Sequence, residues 1–322
     1  AENEIRELAD LMQIPVITTM MGISVFPDDD QLFCGMIGTH GVKMANAAVN
    51  ECDVLFLVGA RVGDRAVKTP LALEKTTKII HIDIDPAEIG KNIGADLPLV
   101  GDAKLVLQQM TELAKPMKHD EWIAHIKTLG GERKYVEPAK GTVNPRVFID
   151  RLAKKMPANV TVVADVGQNQ IWTCTEYKFR KEGRLLTSGG MGTMGYSVPA
   201  AIGAKMADNS RATVAICGDG AFQMSFMELA TAVQFGVDIK VVVMTNNRLG
   251  MVRELQTNGY HDRQTAVFLD GSPDFIKLAE AYGIPAMRVY DDDTMDKGVE
   301  MLAEHKGICL VEVVVDKDMP TL

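Results

Sequence analysis

The segment from Ile216 to Val252 constrains the fold more than any other part of the chain. It contains an apolar strand, the triplet Gly218-Asp219-Gly220, a helix, a second apolar strand and then Asn246. A strand, a helix and a strand in this order predict a parallel crossover unit, whose strand ends meet at one edge of a sheet. The sequence therefore places a carboxylate and an amide oxygen together, as an octahedral cation that also binds phosphate oxygens requires.

The two glycines that flank Asp219 allow backbone amides to approach phosphate oxygens closely. A GDG triplet by itself is usually an ordinary turn. The full order of strand, triplet, helix, strand and asparagine is much more specific, and it predicts a site for a magnesium diphosphate.

Strands alternate with helices along the whole chain, which predicts an α/β fold with two doubly wound parallel sheets. The predicted domains are residues 1–117 and 144–322, joined by a polar linker over 118–143 that holds one short helix. Helices are predicted over 42–50 and 103–113, and strands over 15–19, 54–58, 78–84, 160–164, 185–187, 213–217, 240–245, 286–289 and 309–315. Residues 1–12 predict an amphipathic helix with no strand before it, so we expect a chain cut inside its first α/β unit; a native helical start after processing is the alternative.

Composition narrows the class of protein. The net charge of -9 argues against a nucleic-acid partner, because such a partner requires a basic surface. No apolar run reaches the ~18 residues that a membrane helix requires, and no signal sequence opens the chain. The cysteines are odd in number and never in metal-ligand spacing, which indicates reduced thiols; they are Cys34, Cys52, Cys174, Cys217 and Cys309. We therefore expect a cytoplasmic protein with no membrane partner.

Several further motifs occur in one order along the chain. They are TTMMG (18–22), GMIGTHG (35–41), GARVGDR (59–65), DVGQNQIW (165–172), TSGGMGTMG (187–195) and LGMVRELQ (249–256). Together with the GDG segment, they make the chain similar to the catalytic subunit of acetolactate synthase, a thiamine-diphosphate enzyme. The resemblance covers essentially the whole chain and corresponds to the family's central and C-terminal domains.

The resemblance implies a transferase of branched-chain amino-acid biosynthesis. Such an enzyme condenses two pyruvates, or pyruvate and 2-ketobutyrate, to a 2-acetohydroxy acid with release of carbon dioxide. The family's cofactor-activating glutamate belongs to an N-terminal pyrimidine-binding domain that these motifs do not include, so no catalytic residue is expected here and the chain is expected to be inactive alone. The implied partners are small-molecule 2-keto acids, a second copy in a homodimer or tetramer, and a small regulatory subunit.

The resemblance also implies a set of residues for thiamine diphosphate and magnesium. Asn246, rather than Asn247, aligns with the family's metal ligand, because it lies 27 positions after Asp219. The carbonyl of Arg248 is the third implied ligand, and Met251 and Leu255 are the implied substrate contacts. The implied cofactor residues are Val166, Gly167, Gln168, Asn169, Gly192, Met194, Gly218, Asp219, Gly220, Ala221, Asn246, Arg248, Gly250, Met251 and Val252.

Two departures from the family's pattern concern this site. Asn169 stands where the family usually has histidine, which removes a positive charge, although an amide can still donate a hydrogen bond. Leu255 stands where the biosynthetic enzymes typically carry tryptophan. Because a leucine removes aromatic surface from the acceptor pocket, we expect weak preference between 2-ketobutyrate and pyruvate and poor inhibition by sulfonylureas.

In the first domain the resemblance implies FAD. Arg61 suits the phosphates, because arginine is a rigid cation with several donors. The family's arginine motif usually reads GARFDDR, whereas Val62 and Gly63 occur here, so a vestigial or empty flavin site is the alternative. The implied FAD residues are Thr19, Met20, Met21, Gly38, Thr39, His40, Gly59, Arg61, Asp83, Ile84, Gly101 and Asp102.

Three other functions compete with this interpretation. Gly190-x-Gly192-x-x-Gly195 follows a predicted strand and imitates a dinucleotide fingerprint, which would indicate a dehydrogenase. Asp219 lies 29 residues after the first of these glycines, somewhat far for a ribose ligand, and Asn246 would have no role. A pyruvate oxidase or another thiamine-dependent decarboxylase is a second alternative, which TSGGMGTMG and LGMVRELQ disfavour. A non-catalytic binding protein is the third.

Overall fold

The computed structural model describes residues 1–131 and 135–322. The chain forms two compact units, Ala1–Arg133 and Lys134–Leu322. The boundary between them falls inside the predicted linker 118–143, whose helix Asp120–Thr128 belongs to the first unit.

The first unit is built from short parallel strands and the helices between them. Its elements are α1 (Glu2–Met12), β1 (Val16–Thr18), a 3-10 helix (Met20–Gly22), β2 (Phe33–Met36), α2 (Lys43–Glu51), β3 (Val54–Val58), α3 (Pro70–Leu73), β4 (Lys78–Asp83), β5 (Leu97–Val100), α4 (Ala103–Leu113) and α5 (Asp120–Thr128). Strands β1 and β2 form one parallel pair, and β3, β4 and β5 form a second parallel sheet with β4 in the centre.

Helices cover both faces of the sheet that contains β4. Successive side chains of a strand point to opposite faces, and Ile79 and Ile82 of β4 accordingly belong to two different apolar clusters. Ile82 packs with Leu8 of α1 and Leu107 of α4, whereas Ile79 packs with Val49 of α2. This arrangement is the doubly wound architecture that the alternation of elements predicts.

The second unit repeats the alternation with longer, more deeply buried strands. Its elements are α6 (Pro145–Lys155), β6 (Thr161–Ala164), α7 (Gln168–Glu176), β7 (Arg184–Thr187), α8 (Ser197–Ala207), β8 (Thr213–Gly218), α9 (Asp219–Ser225), a 3-10 helix (Phe226–Glu228), α10 (Leu229–Gln234), β9 (Lys240–Thr245), α11 (Gly250–Gly259), α12 (Phe275–Ala281), β10 (Ala286–Val289), α13 (Asp292–Glu304) and β11 (Cys309–Val314). Because both faces of β6, β8, β9 and β11 are buried, these strands are apolar along their length rather than alternating.

The six strands of the second unit form one parallel sheet in the order β10-β11-β9-β8-β6-β7. After β6 the chain moves to β7 on one side, and after β8 it moves to β9 on the other. The order therefore reverses between β6 and β8, and open parallel sheets bind ligands outside the carboxyl ends of the strands at such a point.

The α/β class and the parallel sheets that the sequence predicts are confirmed, and each predicted strand occurs with its ends displaced by at most one residue. Two strands, β2 and β5, were not predicted. β5 reads Leu-Pro-Leu-Val, and its Pro98 is tolerated because β5 is the edge of its sheet. All five cysteines are free thiols. Within 1–131 and 135–322, every helix is too short or too polar to cross a membrane.

Candidate functional site

A cleft of about 130 Å³ opens at the carboxyl ends of β6, β8 and β9, beside the point where the strand order reverses. Its walls are three junctions between a strand and a helix: loops join β6 to α7 and β9 to α11, and β8 runs directly into α9. The predicted cofactor residues that line the cleft are Val166, Gly167, Gln168, Asn169, Met194, Gly218, Asp219, Gly220, Ala221, Asn246, Arg248, Gly250, Met251 and Val252. One predicted residue, Gly192, lies outside the lining, in the turn that precedes Met194.

Asp219 is the first residue of α9, and only 1% of it is exposed. Its Oδ2 atom accepts hydrogen bonds from the backbone amides of Asn246 at 3.1 Å and Asn247 at 2.6 Å. Burial raises the pKa of this carboxyl to about 6, although these two amides and that of Gly220 act in the opposite direction. The ends of β8 and β9 therefore bring the predicted acidic ligand directly against the asparagine.

Asn246 presents its side chain between two of the cleft's walls. Its Oδ1 atom accepts a hydrogen bond from the backbone amide of Arg248 at 3.0 Å, and its Nδ2 atom donates one to Oε1 of Gln168 at 3.3 Å. Asn247 has a φ of 54°, in the left-handed region that asparagine tolerates better than most residues. Because the chain turns there, Arg248 also lines the cleft, so all three predicted ligand residues contribute to its lining.

The polarity of the cleft suits an anion and a cation together. The first residues of α7, α9 and α11 all line it, and helix N-termini carry unpaired N–H groups and partial positive charge that favour anions. A buried carboxylate at the same place, that of Asp219, repels an anion unless a cation lies between them. Oxygen donors from a carboxylate and an amide are those that a hard divalent cation prefers.

The amide groups of Gln168 and Asn169 are committed within the protein. Nε2 of Gln168 donates to Oε2 of Glu254 at 3.1 Å and to the carbonyl of Met319 at 2.9 Å. Nδ2 of Asn169 donates to the carbonyls of Asp165 at 2.8 Å and Ile216 at 3.2 Å, which fastens the end of β6 to the end of β8. The diphosphate contacts predicted for these two residues stay a prediction, and a donation from either amide nitrogen requires it to leave these partners.

The apolar side of the cleft contains Met194 and Met251. Met194 lies close to the α9 loop, because a Cβ on Gly220 would be 3.3 Å from its methyl group. Leu255 is one turn further along α11 than Met251, is 62% exposed and lies outside the lining of the cleft. Leu255 therefore lies on the open surface beside the cleft, and the substrate contact predicted for it would be made there.

Sequence reasoning included Asp165 in the motif DVGQNQIW but assigned it no role; it is the last residue before the loop that leads to α7. Its carboxylate is fully buried and accepts hydrogen bonds from the backbone amides of Gly195 at 3.0 Å and Ser197 at 2.8 Å. It thereby holds the turn that carries Met194 against the end of β6. Its place directly after an apolar strand, as for Asp219, was the signal that could have identified it.

Four more residues complete the lining of the cleft, and sequence reasoning assigned none of them to the site, although two lie in the quoted motifs: Trp172, Met244, Leu249 and Val315. All four are apolar or aromatic residues inside or beside predicted elements. A pattern of this kind indicates burial but does not distinguish a core position from a cleft position.

In the first unit, the residues predicted for FAD follow the carboxyl ends of the strands. Thr19 to Met21 follow β1, Gly38 to His40 follow β2, and the others follow or end β3, β4 and β5. The amide of Gly59 donates to the carbonyl of Ile82 at 2.8 Å, and the amide of Gly101 donates to that of Asp83 at 2.9 Å. The residues predicted at the ends of β3, β4 and β5, Gly59, Arg61, Asp83, Ile84, Gly101 and Asp102, thus lie along one edge of the sheet.

The GARVGDR loop contains an unusual backbone. Val62 has a φ of 48°, which is rare for a β-branched residue, yet only 5% of it is exposed and it packs in the cluster around Ile79. The amide of Thr39 donates to the carbonyl of Arg65 at 2.9 Å, so the GTHG and GARVGDR loops are in contact. Val62 therefore serves the apolar core, and Arg61 beside it is exposed.

Comparison with known proteins agrees with this geometry. Residues 1–110 match the family model for the central domain of thiamine pyrophosphate enzymes, and residues 165–313 match the model for their C-terminal, thiamine pyrophosphate-binding domain. The second match contains all three of the strand-to-helix junctions that form the walls of the cleft.

Similar proteins are named as acetolactate synthases. A probable acetolactate synthase large subunit of Methanocaldococcus jannaschii is 40% identical over 98% of this chain and 55% of its own length. The acetolactate synthase large subunit of Lactococcus lactis is 36% identical over 97% of this chain and 54% of its own, and the acetolactate synthase of Arthrospira platensis is 39% identical over 99% and 56%. The chain thus spans about half the length of the relatives it matches.

Proposed function

Because this chain belongs to the thiamine pyrophosphate enzymes, we propose that its cleft binds the diphosphate of thiamine diphosphate through Mg²⁺, and that the whole protein is an acetolactate synthase. The observation that carries the proposal is the buried carboxylate of Asp219 among the N-termini of α7, α9 and α11. A Mg²⁺ diphosphate satisfies both the carboxylate and the helix N-termini, whereas an anion alone or a cation alone satisfies only one of them.

In this proposal three residues hold the cation. Asp219 supplies a carboxylate oxygen, Asn246 its Oδ1 atom and Arg248 its backbone carbonyl. Magnesium keeps near-octahedral geometry, so the diphosphate and water would complete its coordination. The backbone amides of the three helix starts are the donors for the remaining phosphate oxygens.

The organic part of the cofactor would lie along the apolar side of the cleft. Met194 would support its bent shape, Val166 and Gly192 would lie near the aminopyrimidine, and Met251 and Val252 would face the thiazolium and pyrimidine rings. When bound, thiamine diphosphate serves as an electron sink for the decarboxylation of a 2-keto acid. The contribution of this chain is to hold and orient the cofactor and to keep one side of it apolar.

We propose pyruvate as the donor and either pyruvate or 2-ketobutyrate as the acceptor. The names of the similar proteins support this choice, since acetolactate is the product of two pyruvates. The exposed Leu255 on α11 is the residue we assign to the acceptor side. With leucine there, the difference between the two acceptors comes from small apolar contacts, which are worth about 1 to 3 kcal/mol per methylene.

FAD in the first unit, assembly as a homodimer or tetramer, and a small regulatory subunit are further parts of the proposal. The FAD assignment is supported by the residues that gather at the ends of β3, β4 and β5 and by the family of the first unit. A visible spectrum of the purified protein tests it, because flavin is coloured and its absorption stays with the protein through gel filtration only when the flavin is bound.

The binding proposal is tested by titrating the purified chain with thiamine diphosphate in the presence of Mg²⁺ and in the presence of a chelator. We expect a saturable heat or fluorescence change with Mg²⁺ only, and in Asp219→Asn a much weaker change that no longer depends on Mg²⁺. Binding that is equal with and without metal would contradict the proposed site. The activity is tested in the whole protein by product analysis: acetolactate supports the proposal, whereas acetyl phosphate or acetaldehyde would indicate an oxidase or a simple decarboxylase.

A further inference from the structure

A chain of hydrogen bonds connects the face of α11 with the predicted metal ligand. Oε2 of Glu254 accepts from Nε2 of Gln168 at 3.1 Å, and Oε1 of Gln168 accepts from Nδ2 of Asn246 at 3.3 Å. Glu254 itself lies outside the lining of the cleft, so its influence on the site passes through Gln168.

The direction of each bond is set by the carboxylate at the outer end. An ionised carboxylate only accepts hydrogen bonds, so Glu254 fixes the amide nitrogen of Gln168 towards itself. The amide oxygen of Gln168 must then face Asn246, where it can only accept, and the Nδ2 atom of Asn246 turns towards it. This leaves the Oδ1 atom of Asn246 as the group that is presented to a cation.

Packing prevents the intermediate amide from turning over. Gln168 is only 4% exposed. A Cβ on Gly250 would lie 1.9 Å from its Oε1 atom, so only glycine at this position leaves room for the oxygen. A buried amide that reverses would also leave donors facing donors, at a cost of about 1 to 3 kcal/mol for each unpaired group.

Glu254 also fastens the segment that follows β11. The backbone amide of Thr321 donates to Oε2 of Glu254 at 3.0 Å, and the Thr321 hydroxyl donates to the same atom. Nε1 of Trp172 donates to the carbonyl of Pro320 at 3.1 Å, and the carbonyl of Met319 is the second acceptor for Gln168. The same carboxylate thus holds Gln168 directly and secures the segment that supplies its other acceptor.

We propose that Glu254 is a positioning residue for the metal site, which orients the amide of Asn246 through Gln168. The inference depends on the proposed function, because it assigns Asn246 as a ligand. Residues that orient a metal ligand typically change metal affinity about 10- to 100-fold when they are removed.

The test measures the Mg²⁺ dependence of thiamine diphosphate binding in Glu254→Ala, Glu254→Gln and a matched control, Asp318→Ala. Asp318 lies in the same segment and pairs with Arg253 of the same helix at 3.5 Å, but its carboxylate is separate from the Gln168 pair. We expect the dissociation constant for Mg²⁺ to rise about 10- to 100-fold in the alanine variant of Glu254, to rise less in Glu254→Gln, which keeps one acceptor oxygen, and to stay within about twofold in Asp318→Ala.

A double-mutant cycle separates positioning from a general loss of structure. If Glu254 acts through Gln168, adding Glu254→Ala to Gln168→Ala causes no further loss of Mg²⁺ affinity, because the intermediate is already absent. Additive losses would overturn the inference, as would equal losses in Glu254→Ala and Asp318→Ala.

Should Glu254→Ala fail to fold, the same cycle is run with Glu254→Gln. If the unmodified chain shows no Mg²⁺-dependent binding, the proposed function fails; if it binds and Glu254→Ala binds equally well, only the positioning role fails.

Discussion

Replacing Asp165 with alanine should destabilise the second unit by about 3 to 6 kcal/mol. The Asp165 side chain is fully buried, and its carboxylate accepts from the amides of Gly195 at 3.0 Å and Ser197 at 2.8 Å. Alanine leaves both amides without an acceptor, and each hydrogen bond to a charged group contributes about 1.5 to 3 kcal/mol. A loss of this size is a large part of the ~5 to 15 kcal/mol that stabilises an ordinary domain.

The asparagine variant separates hydrogen bonding from side-chain volume. Asp165→Asn has nearly the same shape, but it keeps only one acceptor oxygen and turns its NH₂ group towards the other backbone donor, so it should lose about as much as alanine, ~3 to 6 kcal/mol, although no cavity forms. Asp208→Asn is the matched control, because Asp208 lies in the same unit and its carboxylate binds Ser210 at an exposed position. A surface change of this kind should stay within about 0.5 kcal/mol of the original protein.

The assay is urea unfolding followed by tryptophan fluorescence. Trp172 lies in the second unit and Trp122 in the first, so a Trp122→Phe background restricts the signal to the unit that is perturbed and avoids mixing two transitions. With a slope of about 2 kcal/mol/M, Asp165→Ala should lower the midpoint by about 1.5 to 3 M. A shift below about 0.3 M in either the alanine or the asparagine variant would refute the assignment of Asp165 as the acceptor that holds this turn.

The remaining predictions concern the cleft and its rim. Because burial raises the pKa of Asp219 from 3.8 to about 6, the metal-free folded protein binds an extra proton between these values. This residue's contribution to stability should therefore fall as the pH rises through that window, as urea midpoints at several pH values would show, and Asp219→Asn should flatten the profile. Mg²⁺ affinity should have the opposite dependence, rising about tenfold per unit up to about pH 6 and levelling above it. Gly250→Ala should weaken Mg²⁺ and thiamine diphosphate binding by at least about tenfold, since its Cβ would displace Gln168, whereas Gly259→Ala, on the same helix with open space around it, should bind normally in the same titration. Leu255→Trp in the whole protein should increase the preference for 2-ketobutyrate in a competition assay and the sensitivity to sulfonylureas; unchanged ratios would place the acceptor site elsewhere.

The strands and the contact between Asp219 and Asn246 could be predicted because local sequence determines them. Apolar runs such as Lys240–Thr245 can be strands buried on both faces, and the crossover rule then brings Asp219 and Asn246 to one edge. What could not be predicted depends on contacts between distant parts of the chain. Two of the partners of Gln168, Glu254 and Met319, are 86 and 151 residues away, and no periodicity in the sequence records such a pairing. β5 was missed for a different reason, because a proline weighs against a strand unless its position at a sheet edge is known.

If the cleft binds Mg²⁺ and a diphosphate as proposed, its opposite charges require that each of the two strengthen the binding of the other. Without a cation, the carboxylate of Asp219 opposes a diphosphate at the three helix N-termini; without a diphosphate, those N-termini oppose a cation beside Asp219. Linkage then demands that Mg²⁺ increase the affinity for thiamine diphosphate by the same factor by which thiamine diphosphate increases the affinity for Mg²⁺. The Asp219→Asn variant lacks both the charge that repels the diphosphate and the carboxylate that would bind the metal. The diphosphate should therefore bind this variant weakly but equally with and without metal. The retention of metal-dependent binding in that variant would show that the cation is held by other groups.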